Sequence, residues 1–170
     1  MIELDDFLDA VDSQLDRQIL NDDEDTEENG QYNAISAEPN ECLFIVAGPG
    51  SGKTTVMALH VLKLIFIDEI DPKSILVTTF TKKAAAELSS RILGWGDELR
   101  QFFIENSEDN ALKDQLRSID FNQITIGTLD SISEKILRIY RDPGNPAPII
   151  IKEFTSKAIL SKSIPLTVCV

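Results

Sequence analysis

The feature that most limits what this 170-residue chain can fold into is a glycine-rich loop set between two apolar segments. Ala47, Gly48, Pro49, Gly50, Ser51, Gly52, Lys53 and Thr54 match the Walker A phosphate-binding pattern, with Ala in place of the first Gly. The apolar run 42–47 before it is fit for a strand buried on both faces. Helical spacing over residues 53–66 follows it. Glycines let the backbone turn successive N–H groups toward phosphate oxygens, and the helix start adds partial positive charge. Lys53 is expected to reach the β- and γ-phosphates, and the Thr54 hydroxyl to ligand Mg²⁺. Pro49, Ser51 and Thr55 complete the expected nucleotide-binding set.

A second stretch imitates a metal-binding strand. Residues 64–69 are apolar and end in Asp68 and Glu69, but they begin about ten residues after Thr54, inside the helix that must follow the loop. A parallel neighbour strand needs a dozen or more residues to return. Asp68 and Glu69 are therefore expected at the polar end of a helix, not as metal ligand and base.

The rest of the chain alternates strand and helix patterns, which predicts an α/β fold with a mainly parallel sheet. Residues 74–80 are β-branched and strand-like. Residues 81–93 are Ala-rich, with Thr81 placed to cap a helix that Gly94, Trp95 and Gly96 should end. Trp95 is expected to fill a local gap. Residues 97–118 read as one or two polar helices, expected as an insertion, and residues 123–127 as a further strand. Ser131 and Glu134 have the spacing of a capping box for a helix ending near Arg141. Residues 142–146 form a turn cluster, with a strand expected over 149–154 and a short helix over 155–163.

Charge divides the chain. Of the net −13, residues 1–30 carry twelve acidic and one basic side chain, while the remainder carries seventeen and fifteen. The acidity therefore belongs to the N-terminal segment, and bulk charge neither supports nor excludes nucleic-acid binding. Within that segment, Leu4, Phe7, Leu8, Val11, Leu15 and Ile19 make an apolar stripe on an acidic helix. Residues 21–30 read as a solvated linker. The helix is expected either to pack on the core or, through residues 1–20, to dock a protein partner or mimic DNA. Cys42 and Cys169 are the only cysteines and His60 is the only histidine, which leaves no material for a metal cluster or a Ser-His triad. No apolar run approaches a membrane span and no basic leader precedes one, so a cytoplasmic location is expected.

Taken together the motifs resemble the UvrD/Rep-type helicases of superfamily 1. The loop with Thr54 and Thr55 resembles their motif I. Residues 75–88 resemble motif Ia, Gln31 to Ile35 the Q motif, and residues 126–131 the Thr-Phe-His motif. The resemblance covers about residues 30–160 and implies a RecA-like P-loop NTPase domain over 31–170, with ATP and Mg²⁺ as cofactors and single-stranded or partly duplex DNA as partner. It gives Gln31 a contact to adenine, and Thr79, Phe80, Thr81, Lys82 and Thr128 contacts to the DNA strand.

There are departures. Leu129 and Asp130 stand in place of Phe and His, and Thr55 stands where many members have Arg. The acidic Asp-Glu strand and the arginine finger are not found before Val170, so the domain is expected to be incomplete. Whether the isolated chain is an enzyme stays open. Beside a helicase portion stand a non-catalytic nucleotide- or partner-binding module and, more weakly, a small P-loop kinase. The kinase reading leaves the motif Ia likeness without a reason.

Overall fold

The computed structural model describes residues 2–15, 30–141 and Gly144. Two compact units divide the chain, Met1–Gly127 and Thr128–Val170.

The first unit is built around one helix. After α1 (Leu4–Leu15) and α2 (Gly30–Ser36), helix α3 (Lys53–Phe66) buries Val56, Ala58, Leu59, Val61, Leu62, Ile65 and Phe66. A helix apolar on so many sides must be surrounded, and α1, α2 and α4 (Lys82–Asn106) all pack against it. Its last residue, Phe66, is the hub of an aromatic cluster. Ring centroids lie 6.3 Å away at Phe7 of α1, 5.6 Å at Phe103 of α4 and 5.8 Å at Phe121. The stripe on α1 behaves as its spacing predicts: Phe7, Leu8 and Val11 are buried, and Leu4 and Leu15 are half-buried. That apolar face is thus used within the fold, and Asp5, Asp6, Asp9 and Asp12 remain outside. Ile19 falls outside the described residues.

Strands β1 (Leu76–Thr79) and β2 (Thr125–Thr128) form a two-stranded parallel sheet, joined by the crossover through α4 and α5 (Asn110–Ser118). Each strand is entered through a 3-10 turn, Pro72–Ser74 or Phe121–Gln123. Asp71 caps the first, held below the usual carboxylate range by its side-chain bond to Lys73 and then by the Lys73 backbone N–H. Asp120 caps the second, held down by the Asn122 side chain and then by its backbone N–H. Carboxyls lowered in this way contribute above the ordinary carboxylate range and lose that contribution as pH falls through it.

Three expectations are corrected. Residues 42–47 are not a buried strand: they enter no ladder among the described residues, and Phe44 and Val46 are 93% and 84% exposed. A strand buried on both faces needs paired neighbours and covering layers, and the described sheet contains only β1 and β2. Gly94 and Gly96 do not end a helix, since α4 runs unbroken for 25 residues. The buried positions Leu88, Ile92, Leu99 and Phe103 continue its core-facing stripe through the glycines. Burial of that stripe outweighs two helix-interior glycines, which together cost about 2 kcal/mol. Residues 97–118 are accordingly the second half of α4 followed by α5. Finally, α6 (Leu129–Ile139) is capped by Thr128, whose Oγ1 accepts from Ser131 N at 3.2 Å. Ser131 is already helical, and Glu134 pairs with Arg138 at 2.6 Å instead. The elements expected after residue 141 lie outside the described residues, apart from Gly144 in a turn.

The two glycines differ in a way that mutation can read. A methyl group at Gly94 meets nothing within 4 Å, so Gly94→Ala is expected to raise stability by about 0.5–1 kcal/mol. At Gly96 it would sit 3.0 Å from two atoms of the Phe121 ring. That ring is buried, touches Phe66 and lies 5.5 Å beneath the Arg100 guanidinium. Overpacking exceeds the propensity gain here, and Gly96→Ala should lower stability by about 0.5–2 kcal/mol. Urea unfolding of the two variants is the measurement; equal shifts would contradict the packing.

Candidate functional site

The loop before α3 has the geometry its glycines suggest. Gly50 and Gly52 take φ of 79° and 81°, the left-handed region that glycine enters without strain. Gly52 is the N-cap of α3 and offers no side chain, and the first intrahelical bond is Val56 N to Gly52 O at 3.0 Å. The amides of Lys53, Thr54 and Thr55 therefore have no acceptor within the helix. A helix start left uncapped on an exposed loop suits an anion.

The ammonium group of Lys53 lies in the curl of the same loop. Its Nζ donates to Ala47 O at 2.9 Å and to Gly48 O, and reaches Ser51 Oγ at 3.4 Å. Ser51 Oγ donates to Gly48 O at 2.9 Å, closing the turn around Pro49. The uncapped amides at the start of α3 and one ammonium thus belong to the same exposed turn, the donor types a polyphosphate requires. Thr54, in the first turn of α3, is half-buried. Magnesium is usually held by one or two protein oxygens together with substrate phosphates and water. The Thr54 hydroxyl fits that limited role, and among the described residues no cluster of His, Cys, Asp or Glu could hold a metal alone.

Gln31 comes to the loop from α2. Its Nε2 donates to Ser51 O at 3.0 Å and lies 3.3 Å from where a Cβ on Gly52 would stand. Gly52 is thus favoured by its backbone conformation, with Gln31 close against the space a side chain would enter. With one amide hydrogen held by Ser51, the other hydrogen and Oε1 stay available to a base edge.

Sequence reasoning missed Arg91. From α4 its Nη1 donates to Thr55 Oγ1 at 3.1 Å, its Nη2 pairs with Glu87 at 2.7 Å, and its guanidinium lies 5.7 Å from the Trp95 ring centre. A guanidinium therefore stands at the first turn of α3 although position 55 is threonine. The four-residue spacing of Glu87, Arg91 and Trp95 was the available signal. Trp95 is half-buried against the core, as a gap-filler should be. Asp68 pairs with the buried Lys63 at 2.8 Å, in the turn after α3.

The β1–α4 junction gathers the next group. Thr79 Oγ1 donates to Thr81 O at 3.0 Å, and Thr81 Oγ1 caps α4 by accepting from Ala84 N at 3.1 Å. Phe80 between them is fully exposed, and Lys82 is exposed in the first helical turn. An aromatic face and an ammonium next to each other at a strand's C-terminal end are the elements of a single-strand contact. Thr128 lies in the second unit, where its hydroxyl is occupied as the cap of α6.

The family model described as the UvrD/REP helicase N-terminal domain matches residues 28–163. The chain belongs to that family. Among its relatives is an ATP-dependent helicase/nuclease protein of Clostridioides difficile, 38% identical over 113 residues, covering 63% of this chain and 9% of the relative. The ATP-dependent DNA helicase SRS2 of Saccharomyces cerevisiae is 37% identical over 97 residues, 56% of this chain and 7% of the relative. The ATP-dependent DNA helicase Rep of Buchnera aphidicola reaches 52% identity over 63 residues, 37% of this chain and 9% of the relative. The matched segments thus span less than a tenth of these UvrD/REP relatives. No helix among the described residues is long and apolar enough to cross a membrane.

Proposed function

We propose that this chain is the ATP-binding N-terminal portion of a UvrD/Rep-like ATP-dependent DNA helicase, one whose whole activity couples ATP hydrolysis to movement along and unwinding of DNA. The observation that carries the reading is the loop of residues 47–54, where the Lys53 ammonium is curled into the loop next to the uncapped start of α3. Lys53 neutralises the β- and γ-phosphates, the α3 amides cradle them, and the Thr54 hydroxyl takes one position on Mg²⁺. Gln31 stands at the loop as the reader of the adenine edge. Thr79, Phe80, Thr81 and Lys82 form the DNA-strand contact, with Thr128 a further one. The domain around them is RecA-like in this reading, the location is cytoplasmic, and residues 1–20 could dock a protein partner, with the exposed side of α1 over Leu4–Leu15 acidic.

Phosphoryl transfer needs a placed metal, an oriented water and charge neutralisation together. In this reading the isolated chain binds nucleotide with little or no turnover. Titration of the folded chain with Mg-ATP should give saturable binding, displaced by Mg-ADP. Absence of saturation would remove the helicase reading. DNA-stimulated hydrolysis at several turnovers per second by this polypeptide alone would overturn the non-catalytic part of it.

A further inference from the structure

The 7-residue helix α2 is too short to hold itself together in water, so its place depends on tertiary ties. Three ties run to the loop and to α3. At its start, Gln31 Nε2 donates to Ser51 O at 3.0 Å. Near its end, the Ile35 carbonyl meets His60 Nδ1 at 3.1 Å. Just beyond it, the Ala37 carbonyl accepts from Lys63 Nζ at 3.0 Å. Such C-terminal carbonyls have no partner within their own helix, and a cation near them also suits the helix dipole.

Lys63 is the unusual member. It is 3% exposed, the buried charged residue of the core among the described residues. Its ammonium is bound by Ala37 O, by Asp68 Oδ2 at 2.8 Å and by Asp68 Oδ1 at 3.1 Å. An apolar side chain would fill this face of α3 without the desolvation cost of two ions, so bulk stability does not explain a lysine–aspartate pair here. Direction does. The pair fixes where the α2 carbonyl end sits along α3, and Gln31 stands only six residues before Ala37, at the other end of the same short helix.

We infer that Lys63, anchored by Asp68 and assisted by His60, is a positioning residue for base recognition: it sets the register of α2 on α3 and so holds Gln31 at the phosphate loop. This rests on the nucleotide-site reading above. Phosphate binding uses the loop and the start of α3, whereas base discrimination uses α2. Loosening the clamp should therefore separate the two.

The test measures binding of Mg-ATP, Mg-GTP and Mg-tripolyphosphate by the full chain and by its Lys63→Met and His60→Ala variants, with circular dichroism to confirm folding. The expected wild-type preference for ATP over GTP is about five- to tenfold, the worth of one or two neutral hydrogen bonds. Lys63→Met should reduce it to within about twofold while tripolyphosphate affinity is unchanged. His60→Ala, at a half-exposed position, should reduce it in part and serves if the buried variant fails to fold. An intact ATP preference in a folded Lys63→Met chain, or in His60→Ala should the former not fold, with Gln31→Ala abolishing it, overturns the clamp but leaves the nucleotide site standing. If the wild-type chain binds neither ATP nor tripolyphosphate, the site reading and the clamp fall together.

Discussion

Replacing Lys53 by alanine is expected to weaken Mg-ATP binding by about 10- to 150-fold, the worth of a charge-assisted hydrogen bond of about 1.5–3 kcal/mol. The affinity falls while the fold stays, because every partner of this ammonium belongs to the exposed loop and none to the core. Thermal unfolding should move by less than about 0.5 kcal/mol, the usual range for surface changes. Lys53→Arg should not restore binding, since a planar guanidinium does not fit a curl that accommodates a point charge. Isothermal titration with Mg-ATP, beside a melting curve of each variant, measures both quantities. An alanine variant that binds as tightly as wild type would show that the triphosphate sits elsewhere. One that fails to fold would show that the ammonium holds the loop together instead of serving a ligand.

The largest loss of stability is expected from Phe66→Ala, about 3–5 kcal/mol. Phe66 is 4% exposed and its ring touches those of Phe7, Phe103 and Phe121. Its removal opens a cavity where α1, α3, α4 and the turn before β2 meet, and none of those elements can close the gap without leaving another. Domains are stable by only about 5–15 kcal/mol in total, so this one change removes a large share. Phe80→Ala supplies the contrast: a fully exposed ring should cost less than about 0.5 kcal/mol on folding. Urea denaturation of both variants tests the pair. Similar losses at the two positions would contradict the assigned core.

The candidate site was more legible than the sheet, for a physical reason. A glycine-rich turn is local: Gly50 and Gly52 act through the conformation of a few consecutive residues, and the structure shows the positive φ angles that such a sequence calls for. Capping is local too, and Thr81 does what its position before an Ala-rich helix implies. Strand burial is not. The pattern of residues 42–47 states what that segment needs, and neighbours are supplied from far away in the chain or not at all. Gly94 and Gly96 misled for a related reason, since helix propensity is a weak force beside the burial of Leu99 and Phe103 beyond them. Arg91 offered only its four-residue spacing from Glu87 and Trp95, and the partners that place Arg91 and Lys63, Thr55 and Ala37, lie 36 and 26 residues away.

The unbroken length of α4 has a mechanical consequence. At about 1.5 Å per residue its 25 residues make a rod of roughly 37 Å. The rod starts beside Phe80 and is bolted to the first turn of α3 by Arg91, a third of the way along. A tilt of about 10° about Arg91 would swing the far tip at Asn106 by roughly 4 Å. Arg91 thereby ties the helix that begins at Phe80 to the threonine next to the glycine-rich loop, so the two junctions share one rigid element.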